Sequence, residues 1–172
     1  MSKSLPLVLP QQRLLITFSL LGFLSFAMPF SLGHPQLLVG TIVNACLFSA
    51  ALFLPKKFLY PLVFFPSLGV LSRGLIFGSL TPFLSLLLPF IWLSNMILVN
   101  TFKKLYQLGY IFSALLAAVL KAGFLFASAS ILVKLKILPQ PFLVSMGQLQ
   151  MITALLGAGV TFILGKVYES NS

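Results

Sequence analysis

The chain has almost no acid. Eleven lysines and arginines stand against one aspartate or glutamate in 172 residues. That acid is Glu169, close to the C-terminus. Hydrolytic or glycosidic chemistry that needs a pair of carboxylates, or a carboxylate behind a histidine, is therefore excluded within one chain. There is one cysteine, Cys46, and one histidine, His34. One cysteine cannot form an intramolecular disulfide. Nor can one cysteine and one histidine make the usual zinc site, or supply the roughly four thiolates of an iron–sulfur cluster. No cofactor is expected, and no enzymatic activity. Charged residues of both signs make up only 7% of the chain, against about 25% in soluble domains.

What fills the sequence instead is apolar. Hydrophobic residues account for 59% of it, and the mean hydropathy is +1.11. A water-soluble fold of this length could not bury so much apolar surface, so the expected solvent is a bilayer. The net charge of +10 is then read as an orientation signal and an attraction to anionic membrane lipids. The aromatic–basic interleaving of a nucleic-acid surface is missing, and no nucleic-acid partner is expected.

Six apolar segments lie between punctuation marks: Leu14–Phe30, Pro35–Leu54, Phe58–Phe77, Pro82–Thr101, Leu108–Val133 and Phe142–Gly165. Most approach the roughly 20 residues a helix needs to cross about 30 Å of hydrocarbon. A lipid-exposed backbone must satisfy its own hydrogen bonds, so helices are expected. Barrel strands would be about half as long and would alternate in polarity. The first segment has a competing reading as a signal peptide, with small residues in "SFA" ending at Ala27. The expected fold is one all-α integral membrane domain spanning 1–172, a six-transmembrane-helix bundle. Lys3, Arg13, Lys56, Lys57, Lys103, Lys104 and Lys166 fall on one side of such a bundle, and Lys134 and Lys136 on the other. By the positive-inside rule both termini are then cytoplasmic, in the cell membrane.

Against this background the polar residues inside the apolar runs stand out. At about 1.5 Å of rise per residue, Asn44, Arg73, Gln148 and Gln150 fall in the outer half of their segments. Lys121 lies near the middle of the fifth, and His34 in the first outer loop. Charges within a bilayer are costly and usually face a cavity or a pathway. The one acid is distant in sequence from Arg73 and Lys121, so an anionic small-molecule ligand is the expected countercharge; arginine suits a carboxylate or phosphate. The candidate binding set is Arg73, Lys121, Asn44, Gln148, Gln150 and His34, converging on one outer pocket. Competing readings are snorkelling of the cations to headgroups, a neutral, deprotonated Lys121, helix–helix hydrogen bonding by the amides and an interfacial loop position for His34. Small residues at Ser113, Ala114, Ala117 and Ala118, and at Ala154, Gly157, Ala158 and Gly159, predict close helix packing. "GAGVTFILGK" is no phosphate loop: its spacing is wrong, and Val167 stands where Ser or Thr is required.

In plan, in the run "LIFGSLTPFLSLLLPF" (Leu75 to Phe90) and in "GQLQMITALLGAGVTFILG" (Gly147 to Gly165), the chain resembles the S components of energy-coupling factor (ECF) transporters. These are small membrane subunits that capture vitamins and related metabolites. The resemblance implies a six-helix bundle with an outer pocket for one small metabolite. It also implies partnership with a transmembrane coupling subunit and two ATPase subunits. Two other classes compete: a non-catalytic structural or assembly membrane protein with its basic residues on lipid headgroups, and a membrane enzyme acting on lipids, which lacks the acid–base groups it would need.

Overall fold

The computed structural model describes residues 11–32, 35–77 and 81–170, and every regular element among them is helical. In order these are α1 (Gln11–Ser31), α2 (Gln36–Phe53), α3 (Lys56–Phe77), α4 (Thr81–Leu105), a single 3-10 turn (Tyr106–Leu108), α5 (Tyr110–Lys134), α6 (Pro141–Met146) and α7 (Gln148–Ser170). Five stretches are long and apolar enough to cross a membrane: α1, α2, Phe83–Leu108, α5 and Pro141–Tyr168. Among the described residues α3 is not one of them. It has 22 residues, with Lys56, Lys57 and Arg73 along it and Pro61 and Pro66 inside it.

The surface is that of a protein whose solvent is apolar. Large hydrophobic side chains are exposed along whole helix faces: Ile16, Leu20 and Phe23 on α1, Ile111, Phe112 and Leu115 on α5, Leu155, Leu156 and Ile163 on α7. The interior mixes large apolar side chains such as Phe48, Leu62 and Phe102 with small and polar ones. On α5 the buried face reads Ser113, Ala114, Ala117, Ala118, Lys121, Ala122 and Leu125. Small side chains let backbones approach closely where lipid provides no hydrophobic drive between helices.

At the centre lies α2, packed against α7, α1, α4 and α3. Most of its residues from Val43 to Leu52 are buried. Its Phe48 meets Phe102 of α4 edge to face, with ring centroids 5.0 Å apart. Two further pairs flank it: α1 lies on α3, and α4 lies on α5, which in turn touches α7. Among the described residues α3 makes no contact with α5 or α7. A second, smaller apolar cluster of Leu87, Leu125, Ala129, Leu138 and Met146 joins α4, α5 and α6.

Helix ends and breaks have local causes. Proline in a helix removes one backbone donor and crowds the preceding turn. In the stretch of α3 that holds Pro61 and Pro66, the carbonyl of Val63 accepts a 3.2 Å hydrogen bond from Asn95 Nδ2 of α4. The sixth expected segment, Phe142–Gly165, is not one helix. It breaks at Gly147, whose backbone (φ −104°, ψ −90°) leaves the helical region. Glycine is required at this break. A Cβ on Gly147 would stand 2.7 Å from the Phe126 ring of α5 and 3.0 Å from the Leu143 carbonyl oxygen.

Candidate functional site

Lys121 is the charged residue the fold buries most deeply, with 2% of its surface exposed. Its place follows from α5 itself: Ala114, Ala117, Ala118 and Ala122 make a face that the bundle covers, and Lys121 lies on that face. Its Nζ donates a 2.6 Å hydrogen bond to Oδ1 of Asn44 on α2. Asn44 is its hydrogen-bond partner among the described residues. The amide of Asn44 is then spent on the other side: Nδ2 donates to the Gly40 carbonyl oxygen at 2.9 Å and to Thr153 Oγ1 of α7 at 3.1 Å. The Thr153 hydroxyl in turn donates to the Gln150 carbonyl oxygen at 3.2 Å. Lys121, Asn44 and Thr153 thus form a buried polar node joining α5, α2 and α7.

Two glycines hold this node together. A Cβ on Gly157 of α7 would stand 2.7 Å from the Ala45 backbone nitrogen and 2.8 Å from Asn44 Cβ. A Cβ on Gly40 would stand 2.8 Å from Thr153 Cγ2. Only glycine lets α2 and α7 approach closely enough for Thr153 to reach Asn44. Farther along the same pair, Ser49 Oγ and Thr161 Oγ1 lie 3.2 Å apart, and Thr161 also donates to the Ala45 carbonyl oxygen at 3.0 Å. Tyr110 of α5 donates from its hydroxyl to the Ala158 carbonyl oxygen at 2.6 Å.

Arg73 has other neighbours. Its Nη1 donates to the carbonyl oxygens of Phe30 at 3.0 Å and Ser31 at 2.8 Å, at the C-terminal end of α1. Lys103 of α4 does the same for α2, donating from Nζ to the carbonyl oxygens of Ala51 at 3.1 Å and Leu54 at 2.7 Å. The last carbonyls of a helix lack intrahelical donors and carry the negative end of its dipole, so a cation there is favourable.

Of the six expected binding residues, the structure brings Lys121 and Asn44 into contact and adds the backbone carbonyl of Gln150 through Thr153. Gln148 is the first residue of α7, and its side chain is exposed. Arg73 belongs to α3, which among the described residues makes no contact with the α5 helix of Lys121. His34 lies outside the described residues. Among the described residues no three His, Cys, Asp or Glu side chains gather as a metal site would require.

Thr153 and Gly40 were not singled out by the sequence, whereas Gly157 was, as a close-packing residue. A signal existed: Thr153, Gly157 and Thr161 recur every four residues, a small and hydroxyl-bearing stripe on one face of α7. Comparison with protein-family models, with curated proteins and with solved structures finds no match.

Proposed function

We propose that this chain is a membrane-embedded ligand-binding subunit that holds a small anion within its helix bundle at Lys121. Supporting the reading is the buried lysine itself. An ammonium offers three donors, and Lys121 gives one to an amide oxygen. Among the described residues no carboxylate is bonded to Lys121. Burying a lysine at the middle of a membrane helix costs about 2.5–3.5 kcal/mol on the gentlest scale. A neutral amide offsets little of that, whereas an anion drawn from outside would supply the countercharge.

In this reading the chain spans the membrane six times, with α3 as one of the spans and both termini in the cytoplasm. It acts as the capture subunit of a transporter in the cell membrane, with the plan of an ECF S component. A coupling subunit and a pair of ATPases would then power release, since nothing in the chain resembles a nucleotide site.

A second reading is favoured by a different observation. The hydrogen bonds of Arg73 and Lys103 to helix-end carbonyls give two of the notable cations structural work. If Lys121 is likewise structural, bonded to Asn44 and nothing else, the chain is a non-catalytic assembly protein of the membrane.

The experiment that separates them is mass spectrometry of small molecules that co-purify in mild detergent with the wild type and with Lys121→Met. The binding reading expects an acidic compound in the wild-type eluate and at least a tenfold depletion in the variant, about the loss that removing a charge-assisted contact produces. Identical small-molecule profiles in two well-folded preparations would establish the structural reading.

A further inference from the structure

The same node restricts which anion can be held. The restriction comes from counting donors and charges around Lys121, and it rests on reading Lys121 as a ligand site. The ammonium has two N–H bonds beyond the one given to Asn44 Oδ1. Asn44 has no donor left, because Nδ2 serves Gly40 and Thr153. The Thr153 hydroxyl gives its hydrogen to the Gln150 carbonyl oxygen. The node's outward donors therefore belong to one atom, Lys121 Nζ.

The charge count agrees. Arg73 sits at the end of α1, and among the described residues its helix does not contact α5. Lys103 donates to two carbonyls at the end of α2. Neither stands beside Lys121 as a second cation. A dianion, phosphate or sulfate, would bring one more negative charge into the bundle than Lys121 can neutralise, and it would present more acceptor oxygens than two donors can satisfy. Unpaired charge and unmet acceptors away from water are the most costly things to bury.

We propose that Lys121 binds one compact monovalent anion of the carboxylate class, whose oxygens accept the two N–H bonds not given to Asn44. The side chains beside it on α5, Ala117, Ala118 and Ala122, are small.

The test uses the full chain in nanodiscs made from a zwitterionic lipid. Thermal unfolding is followed at constant ionic strength while sodium acetate, propionate, phosphate or sulfate replaces a bulky inert salt. The expected result is a saturable rise in Tm of about 5 °C with acetate or propionate, and no saturable rise with phosphate or sulfate. Lys121→Met is expected to lose the acetate response. Should Lys121→Met fail to fold, the wild-type comparison of monoanions with dianions still decides the matter. A saturable phosphate or sulfate response equal to that of acetate and dependent on Lys121 overturns the monoanion assignment and leaves the binding function standing. No saturable response to any of the four anions, or an acetate response that survives in Lys121→Met, overturns both.

Discussion

Gly157 of α7 faces Asn44 of α2 at a separation that admits no side chain: a Cβ on the glycine would come within 2.8 Å of the asparagine Cβ. The contact fixes where Asn44 sits, and through Asn44 where Lys121 finds its acceptor. Two residues on, roughly on the opposite face of α7, Gly159 has nothing within 4 Å of the equivalent position.

This difference makes the first prediction. Gly157→Ala is expected to destabilise the bundle by about 1–3 kcal/mol, the usual cost of overpacking. Gly159→Ala is expected to be neutral or slightly stabilising, because alanine is the better helix former by up to about 1 kcal/mol. Thermal unfolding of both variants in the same detergent checks the pair; equal effects would contradict the packing described.

The hydrogen bond between Lys121 and Asn44 predicts strong coupling between them. Asn44→Leu strands a buried ammonium and should cost about 1–3 kcal/mol. The double variant Asn44→Leu, Lys121→Met removes both partners and should be more stable than Asn44→Leu alone, since matched apolar replacement is often nearly neutral. A double-mutant cycle measured by denaturation reads the coupling directly. Additive effects would mean that the two side chains do not depend on each other.

Arg73 is expected to act on α1 and leave the Lys121 node untouched. Hydrogen bonds from charged donors contribute about 1.5–3 kcal/mol. In Arg73→Met, amide exchange from Phe30 to Leu32 should therefore accelerate about tenfold, with exchange around Asn44 unchanged. Hydrogen–deuterium exchange with peptide mapping checks both halves of this expectation. An effect spread evenly over the bundle would contradict it.

Whether α3 crosses the membrane can be read from two lysine positions. Lys57 lies at the start of α3, and Lys136 follows α5. If α3, α4 and α5 all cross, three spans separate them and they face opposite sides. If α3 does not cross, two spans separate them and they share a side. In a Cys46→Ala background, Lys57→Cys and Lys136→Cys are expected to label with a membrane-impermeant maleimide from opposite faces of sealed vesicles. Labelling from one face would leave five spans.

The elements were largely legible because lysine pairs, prolines and glycines interrupt long apolar runs. "PKK" after Leu54 and "KK" after Phe102 mark ends that the helices respect within a few residues. The break at Gly147 was not legible. Glycine is required there by the Phe126 ring from another helix, and no local rule separates Gly147 from Gly165, which the last helix runs through. The intramembrane polar residues were also visible, being rare in an apolar sequence. Their partners were not, because apolar residues surround these helices on every side and give no rotational phase. Hence Arg73 and Lys121 looked equivalent in the sequence. Packing divides them, with one completing the end of α1 and the other buried at the node with Asn44.

Neither α1 nor α2 finishes with its own residues. The last carbonyls of α1 are met by Arg73, 42 and 43 positions further on, and those of α2 by Lys103, 49 and 52 positions further on. A chain synthesised from its N-terminus makes each of these two helices well before the cation that completes it. A truncation after α2 would therefore release a pair of helices that both lack the cation bonded to their last carbonyls.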